Sequence, residues 1–182
     1  MIRTAYPLLL CLAACGCAAA LHAQEAAAAP PAATPAQPAA DDADLDFSGA
    51  ALAHVRAHAR PAAPALQAAA RRAIEASAGE ADCQVDGERL FEVDLDGDGR
   101  AEGVAAWTES GCGGSPGNDY ARQLAVLRAQ GDDWVPVLTG VSLGTKLVGA
   151  RRIDAIDGGR LSLRPEGASL SQAETVVVPP LP

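Results

Sequence analysis

Three aspartates and a glutamate crowd into one short stretch of the chain, and their spacing suits a metal ion. Asp94, Asp96 and Asp98 stand at every second position, and Glu102 follows shortly after them. Alternate carboxylates on a tightly curled loop can point at one centre, and Gly99 permits the sharp turn that this requires. Calcium-sized cations prefer about six to eight oxygen ligands, so an ion turns the mutual repulsion of these acids into a shared attraction.

The spacing also predicts how the ion is held. The expected ligands are the carboxylates of Asp94, Asp96, Asp98 and Glu102 and the backbone carbonyl of Arg100, whose side chain faces water. The loop differs from a standard EF-hand, which ends on a bidentate glutamate where this chain has alanine. One stabilising calcium ion is therefore the predicted cofactor, and a solvated acidic turn without an ion is the alternative.

The residues around the loop complete a recognisable pattern. Residues 91–107 read FEVDLDGDGRAEGVAAW, with strand-like apolar runs before and after the acids. This resembles the strand–loop–strand calcium repeats, D-x-D-x-D-G-x-x-[DE], of integrin-type (FG-GAP) propellers and related bacterial proteins. The resemblance implies a local hairpin that holds calcium. The motif occurs once in this chain, so a whole propeller is not expected.

A wider likeness covers the order of segments along the chain. An export signal, the acidic loop, the segment ESGCGG and the run QLAVLRAQGDDWVPV follow one another. This order is similar to that of small exported bacterial proteins with one D-x-D-G-D-G-x-x-E loop and a following β meander, most of which have no assigned activity. Some envelope proteins that inhibit lysozyme-like enzymes, or that serve as immunity proteins, carry a comparable loop.

The first 23 residues contain no acid and combine a basic start, an apolar run and small residues, which is typical of an export signal. Two processing sites fit: cleavage after Ala23, or the lipobox-like stretch Leu12–Gly16, in which Cys15 would be lipidated. Both predict an exported protein that is periplasmic, attached to the outer membrane through that lipid, or secreted. Residues 24–46 are rich in alanine and proline and predict a disordered linker.

Composition limits the partners and the core. The net charge of −9 is expected to repel nucleic acid and anionic lipid headgroups and to favour a basic protein partner, although solubility alone is a sufficient reason for it. Because only 3% of the residues are aromatic, the core buries little area per residue and needs other support. Cys83 and Cys112 lie outside the signal and are expected to form a disulfide in an oxidising compartment.

Other motifs that suggest chemistry fail on inspection. Residues 113–117 fit the nucleophile-elbow string G-x-S-x-G, but Pro116 lacks the backbone N–H that an oxyanion hole needs. His54 and His58 stand four apart on a predicted helix, but Val55 takes the place of the general-base glutamate of a metalloprotease. No catalytic residue is therefore predicted.

The remaining pattern predicts an α+β, mainly β fold. Two short N-terminal helices are expected within residues 47–79, before a small antiparallel β-meander domain over residues 82–178 that contains the strand–calcium-loop–strand hairpin. Gly131–Asp133 and Asp157–Gly159 are typical of hairpin turns. Strands are predicted near residues 89–93, 104–108, 123–129, 134–138, 143–148, 151–156, 160–164 and 174–178.

Three hypotheses for function follow from these observations. The first is a non-catalytic exported envelope protein with a calcium-stabilised β domain and a binding or structural role. The second is a periplasmic inhibitor or immunity protein that uses acidic charge against a basic peptidoglycan-degrading, lysozyme-like enzyme. The third is a hydrolase whose site the sequence does not reveal.

Overall fold

An antiparallel sheet dominates the structure. The computed structural model describes residues 42–80, 82–114, 119–166 and 173–179. Two helices, α1 (Gly49–His58) and α2 (Pro64–Glu80), lie in the first part of this region. Eight strands neighbour one another in the sheet in chain order. They are β1 (Arg60–Pro61), β2 (Gln84–Val93), β3 (Glu102–Ser110), β4 (Tyr120–Gln130), β5 (Asp133–Thr145), β6 (Gly149–Asp157), β7 (Arg160–Pro165) and β8 (Glu174–Val177).

The predicted mainly β, antiparallel character is confirmed, because every strand pairs antiparallel with the next one along the chain. Turns were expected at Gly131–Asp133 and Asp157–Gly159, and residues 131–132 and 158–159 form the turns that join β4 to β5 and β6 to β7. The expected signal, the lipidation site Cys15 and residues 24–41 of the expected linker lie outside the described residues. No helix in the described part of the chain is long and apolar enough to cross a membrane.

The middle strands are buried on both faces, which explains their long apolar runs. Successive side chains of a strand point to opposite faces of the sheet. On one face of β3 and β4, Val104 and Val126 join a core with α1, β6 and β7. On the other face, Trp107 and Leu127 pack beneath α2. Strands β3 and β4 therefore lie between α2 on one side and α1 with β6 and β7 on the other.

The packing of α2 depends on one glycine of β3. A Cβ atom added to Gly103 would lie 2.2 Å from Cδ1 of Leu66, which is fully buried on the underside of α2. Carbon atoms do not approach so closely, so a larger residue at this position would force the buried Leu66 side chain to shift.

One sequence prediction about the strands is wrong. Residues 134–138 and 143–148 were expected to form two strands, but β5 runs without interruption over Asp133–Thr145. Gly140 has a φ of +69° inside this strand, and the pairing of β4 with β5 shifts register around it. The glycine therefore bends a continuous strand, and residues 146–148 form the turn to β6.

The N-terminal part of the described region packs against the sheet. Asp46 is fully buried and accepts hydrogen bonds from Arg89 on β2, at 2.5 and 3.0 Å, and from Arg122 on β4, at 2.6 Å. The backbone N–H of Ile153 on β6 also donates to the carbonyl of Asp46, at 2.8 Å. Residues 42–46 were assigned to the linker from their composition, but in the structure they belong to the folded domain.

A disulfide closes the far side of the hairpin formed by β2 and β3. Cys83 precedes β2 and Cys112 follows β3, and their Cα atoms are 4.1 Å apart. The covalent link therefore joins the two ends of the hairpin whose opposite end carries the acidic loop.

Candidate metal centre

The acidic loop, residues 94–101, connects β2 to β3 and is curled by its own carboxylates. Asp94 accepts hydrogen bonds from the backbone N–H groups of Gly97, at 2.6 Å, and Gly99, at 3.0 Å. These glycines have φ angles of +79° and +85°, a conformation that favours glycine. The loop thus folds around the first aspartate.

Three of the predicted ligands converge. Carboxylate oxygens of Asp94, Asp96 and Glu102 lie within 4.8 Å of one another. Asp98 does not join this group: its Oδ1 accepts the backbone N–H of Arg100 at 2.7 Å. The coordinating roles expected for all five residues, including Asp98 and the Arg100 carbonyl, stay predictions.

Glu102 is the buried member of this group. It is only 2% exposed, and its Oε2 accepts the backbone N–H of Leu95 at 2.7 Å. Burial raises the pKa of the Glu102 carboxyl above its ordinary value. The Leu95 hydrogen bond and the charge of Arg128 oppose this rise in pKa, while the charges of Asp96 and Asp98 add to it.

Arg128 is the member of the site that the sequence reasoning missed. Its guanidinium forms ion pairs with Asp96 and with Glu102, the latter at 3.2 Å between Nε and Oε1. The neighbouring residue Leu127 pairs with Gly103, which brings Arg128 beside the start of β3. One sequence feature could have indicated Arg128: side chains alternate between the two faces along β4, which puts Arg128 on the same inward face as Val126. The register between the strands could not be read from the sequence.

His54 attaches α1 to the loop. Its Nε2–H donates to the backbone carbonyl of Asp94 at 2.8 Å, and its ring lies against that of His58 with centroids 4.8 Å apart. Within the described residues, neither histidine belongs to a group of three side chains that could share a metal. His54 thus supports the acidic loop, and His58 packs beside it.

The turn between β6 and β7 contacts the loop from the other side. The backbone N–H of Gly159 donates to the carbonyl of Leu95 at 3.1 Å, and its own carbonyl accepts the N–H of Val178 at 2.7 Å. Two cavities, of about 300 and 360 Å³, border the loop, and His54 and Asp94 line both of them. Asp94 and Asp96 therefore border open space between the elements that pack around the loop, whereas Glu102 lines neither cavity.

The donor set fits a calcium-sized cation. Asp94, Asp96 and Glu102 offer only carboxylate oxygens, which hard divalent cations prefer over nitrogen or sulfur. Each oxygen of Asp94 accepts one backbone hydrogen bond and retains a second lone pair. Within the described part of the chain, the guanidinium of Arg128 pairs with two of these carboxylates and opposes a further cation.

A second group of possible ligands in the described residues does not form a metal site. Cys83, Cys112 and Glu109 lie close together, but the two sulfurs form the disulfide. Glu109 accepts hydrogen bonds of 2.9 Å from Trp107 Nε1 and from Ser77 Oγ, so it has a structural role. Most of the G-x-S-x-G string, residues 115–117, lies outside the described residues.

Fold and site together define a class: an antiparallel β-sheet protein with a strand–acidic loop–strand site and one disulfide. Comparison with protein-family models, with curated proteins and with solved structures finds no match for the chain.

Proposed function

We propose that this is a non-catalytic exported envelope protein whose β domain binds one structural calcium ion and serves a binding or structural role. The observation that carries the proposal is the convergence of Asp94, Asp96 and Glu102 in a loop where several elements meet. Through His54 and Gly159 the same loop contacts α1 and the turn between β6 and β7. An ion here would stabilise contacts among segments that are distant in the sequence.

The energetic reason for such an ion lies in the small core. An ion that binds only the folded state at a hundredfold excess over its Kd contributes about 2.7 kcal/mol to stability. The core consists mainly of alanine, valine and leucine, whose burial contributes less per residue than that of aromatic side chains. The calcium contribution would be a large fraction of the stability of a typical domain.

Thermal unfolding tests the proposal. The purified protein is melted with roughly 10 mM calcium chloride, a hundredfold excess for a Kd near 0.1 mM, and, separately, with a chelator. A rise in Tm of roughly 5–10 °C with calcium is expected for the wild type. Asp96→Asn should remove most of this rise. The matched control is Asp132→Asn, which changes an exposed acid in the turn between β4 and β5 and should keep the full response. Identical wild-type curves with calcium and with chelator would refute the proposal.

The overall charge supports a second candidate function. A net charge of −9 favours association with a basic protein, and a lysozyme-like enzyme that degrades peptidoglycan is such a partner. The test is whether the purified protein suppresses cell-wall lysis by a basic lysozyme at low ionic strength and again at about 0.15 M salt. Suppression that persists at the higher salt concentration supports a specific inhibitor, whereas suppression only at low salt indicates nonspecific charge attraction.

A further inference from the structure

We propose that Arg128 is a resident cation of the acidic loop, which competes with a divalent ion for Asp96 and Glu102 and thereby sets the affinity of the site. This inference rests on the calcium binding proposed above. It adds a regulatory residue from β4, outside the acidic motif, and predicts the range of ion concentration over which the site fills.

The contacts of Arg128 support this role. The guanidinium pairs with Asp96 and with Glu102, two of the three carboxylates that converge. The Arg128 side chain is only 11% exposed, so solvent screens these ion pairs weakly. Its backbone belongs to the central strand β4, and the adjacent residue Leu127 pairs with Gly103 on β3. The positive charge is therefore delivered by a rigid element and does not depend on the conformation of the loop.

The site keeps a net negative charge after Arg128 is counted. The three converging carboxylates outnumber the single guanidinium when all are ionised, so an attraction for a divalent cation remains. Among the described residues, the buried Nε of Arg128 has no acceptor in hydrogen-bond geometry, although Glu102 Oε1 lies 3.2 Å away. The guanidinium is thus held partly by charge alone, and a divalent ion can compete for the same oxygens.

Competition has two consequences for the protein. Without calcium, Arg128 offsets part of the repulsion among the carboxylates and keeps the loop folded. With calcium, the ion and the guanidinium repel each other, so the site fills only at high ion concentration. We expect a Kd in the range of extracellular calcium modules, about 0.1–1 mM.

Calorimetric titration with calcium chloride tests this role on three forms of the purified protein. Arg128→Gln removes the competing charge, so its calcium affinity is expected to be at least roughly tenfold higher than that of the wild type. The matched control, Arg152→Gln, removes a guanidinium that pairs with exposed Glu166. Arg152 lies five residues before Asp157 on β6, about 16 Å along the strand from the end that borders the acidic loop. This control should bind calcium as the wild type does.

Melting curves provide a second readout on the same three proteins. In chelator, Arg128→Gln should melt below the wild type because the carboxylates lose their counter-charge. In millimolar calcium the difference should shrink or change sign. Arg152→Gln should melt near the wild type in both solutions, since its ion pair is partly exposed.

The possible outcomes separate this inference from the proposed function. Calcium binding by the wild type with equal or weaker binding by Arg128→Gln overturns the role of Arg128 and leaves calcium binding in place. Binding by Arg128→Gln alone supports the competition and shows that the guanidinium replaces the ion in the wild type. Absence of binding in both proteins overturns the calcium proposal together with this inference.

A second variant keeps the test decisive if Arg128→Gln does not fold. Arg128→Lys retains the charge, but its ammonium group is a point charge that cannot fork across two carboxylates. We expect roughly threefold tighter calcium binding than in the wild type, since one carboxylate is released. An unchanged affinity in this variant would overturn the inference.

Discussion

The imidazole of His54 donates a hydrogen bond to the backbone carbonyl of Asp94, with 2.8 Å between Nε2 and the oxygen. This bond joins the second turn of α1 to the first residue of the acidic loop. Asp94 therefore has two roles. Its side chain curls the loop, and its backbone is held in place by α1 through His54.

Replacing His54 should weaken the fold measurably. His54→Ala leaves the partly buried Asp94 carbonyl without its donor, so the free energy of unfolding should fall by about 1 kcal/mol. His58→Ala, at the exposed neighbouring ring, should change it by less than about 0.5 kcal/mol. Urea unfolding of both variants measures the difference, and equal effects would show that the His54 bond contributes nothing specific.

Stability without calcium should depend on pH through Glu102. The pKa of this carboxyl is raised in the folded state, so the folded protein binds the proton more tightly than the unfolded chain does. The stability that this proton contributes is fully present below the unfolded pKa of about 4.3 and is lost as the pH rises through the raised folded pKa.

Urea unfolding in calcium-free buffer from pH 4 to pH 7 measures this effect against Glu102→Gln, which cannot titrate. The stability of the wild type minus that of the variant should fall as the pH rises through this window. A constant difference would mean that Glu102 ionises at its ordinary pKa.

The buried ion cluster around Asp46 should be far more sensitive than ion pairs on the surface. Asp46→Asn leaves the guanidinium groups of Arg89 and Arg122 without their counter-charge and should destabilise the fold by about 3–5 kcal/mol. Asp133→Asn, which breaks an exposed pair with Arg72, should cost less than about 1 kcal/mol. Chemical denaturation of the two variants makes the comparison, and similar losses would argue against the tight packing of the Asp46 segment.

Two glycine substitutions should have opposite effects. Gly103→Ala places a methyl group against Leu66 and should destabilise the fold by about 1–3 kcal/mol. Gly79→Ala meets no neighbouring atom within 4 Å and lies in a helix, so it should stabilise by up to about 1 kcal/mol. The partial rescue of Gly103→Ala by Leu66→Ala in a double-mutant cycle would identify the clash as the cause.

The disulfide should contribute substantially to stability. The Cys83→Ser, Cys112→Ser double variant should lose about 3 kcal/mol, since the bridge closes a loop of 29 residues in the unfolded chain. A reducing agent should destabilise the wild type by a similar amount and leave the double variant unchanged. An effect of reduction on the double variant would point to a cause other than this bridge.

Local patterns predicted much of what the structure contains. The run from Phe91 to Val93, the acids, and the run from Val104 to Trp107 indicated two strands and a curled loop. The paired glycines of the loop and of the β6–β7 turn indicated where the chain reverses. Such features depend on contacts within a few residues, which the sequence displays directly.

Long-range contacts decided the rest. Gly140 lies between two strands that the sequence predicted, but pairing with β4 carries β5 through it. Asp46 looked like part of an acidic linker, but the two arginines that bury it come from β2 and β4. Arg128 was not among the predicted site residues, because only the register of β3 and β4 places it beside Glu102.

The sequence by itself determined the mainly β, antiparallel architecture, the bend at Gly99 and the crowding of Asp94 and Asp96. Each of these follows from side-chain alternation or from backbone freedom within a few neighbouring residues. The tertiary structure alone decided that Glu102 is buried and that Arg128 shares its carboxylate. Both depend on which strands pair and in which register, and register is set by the packing of both sheet faces at once.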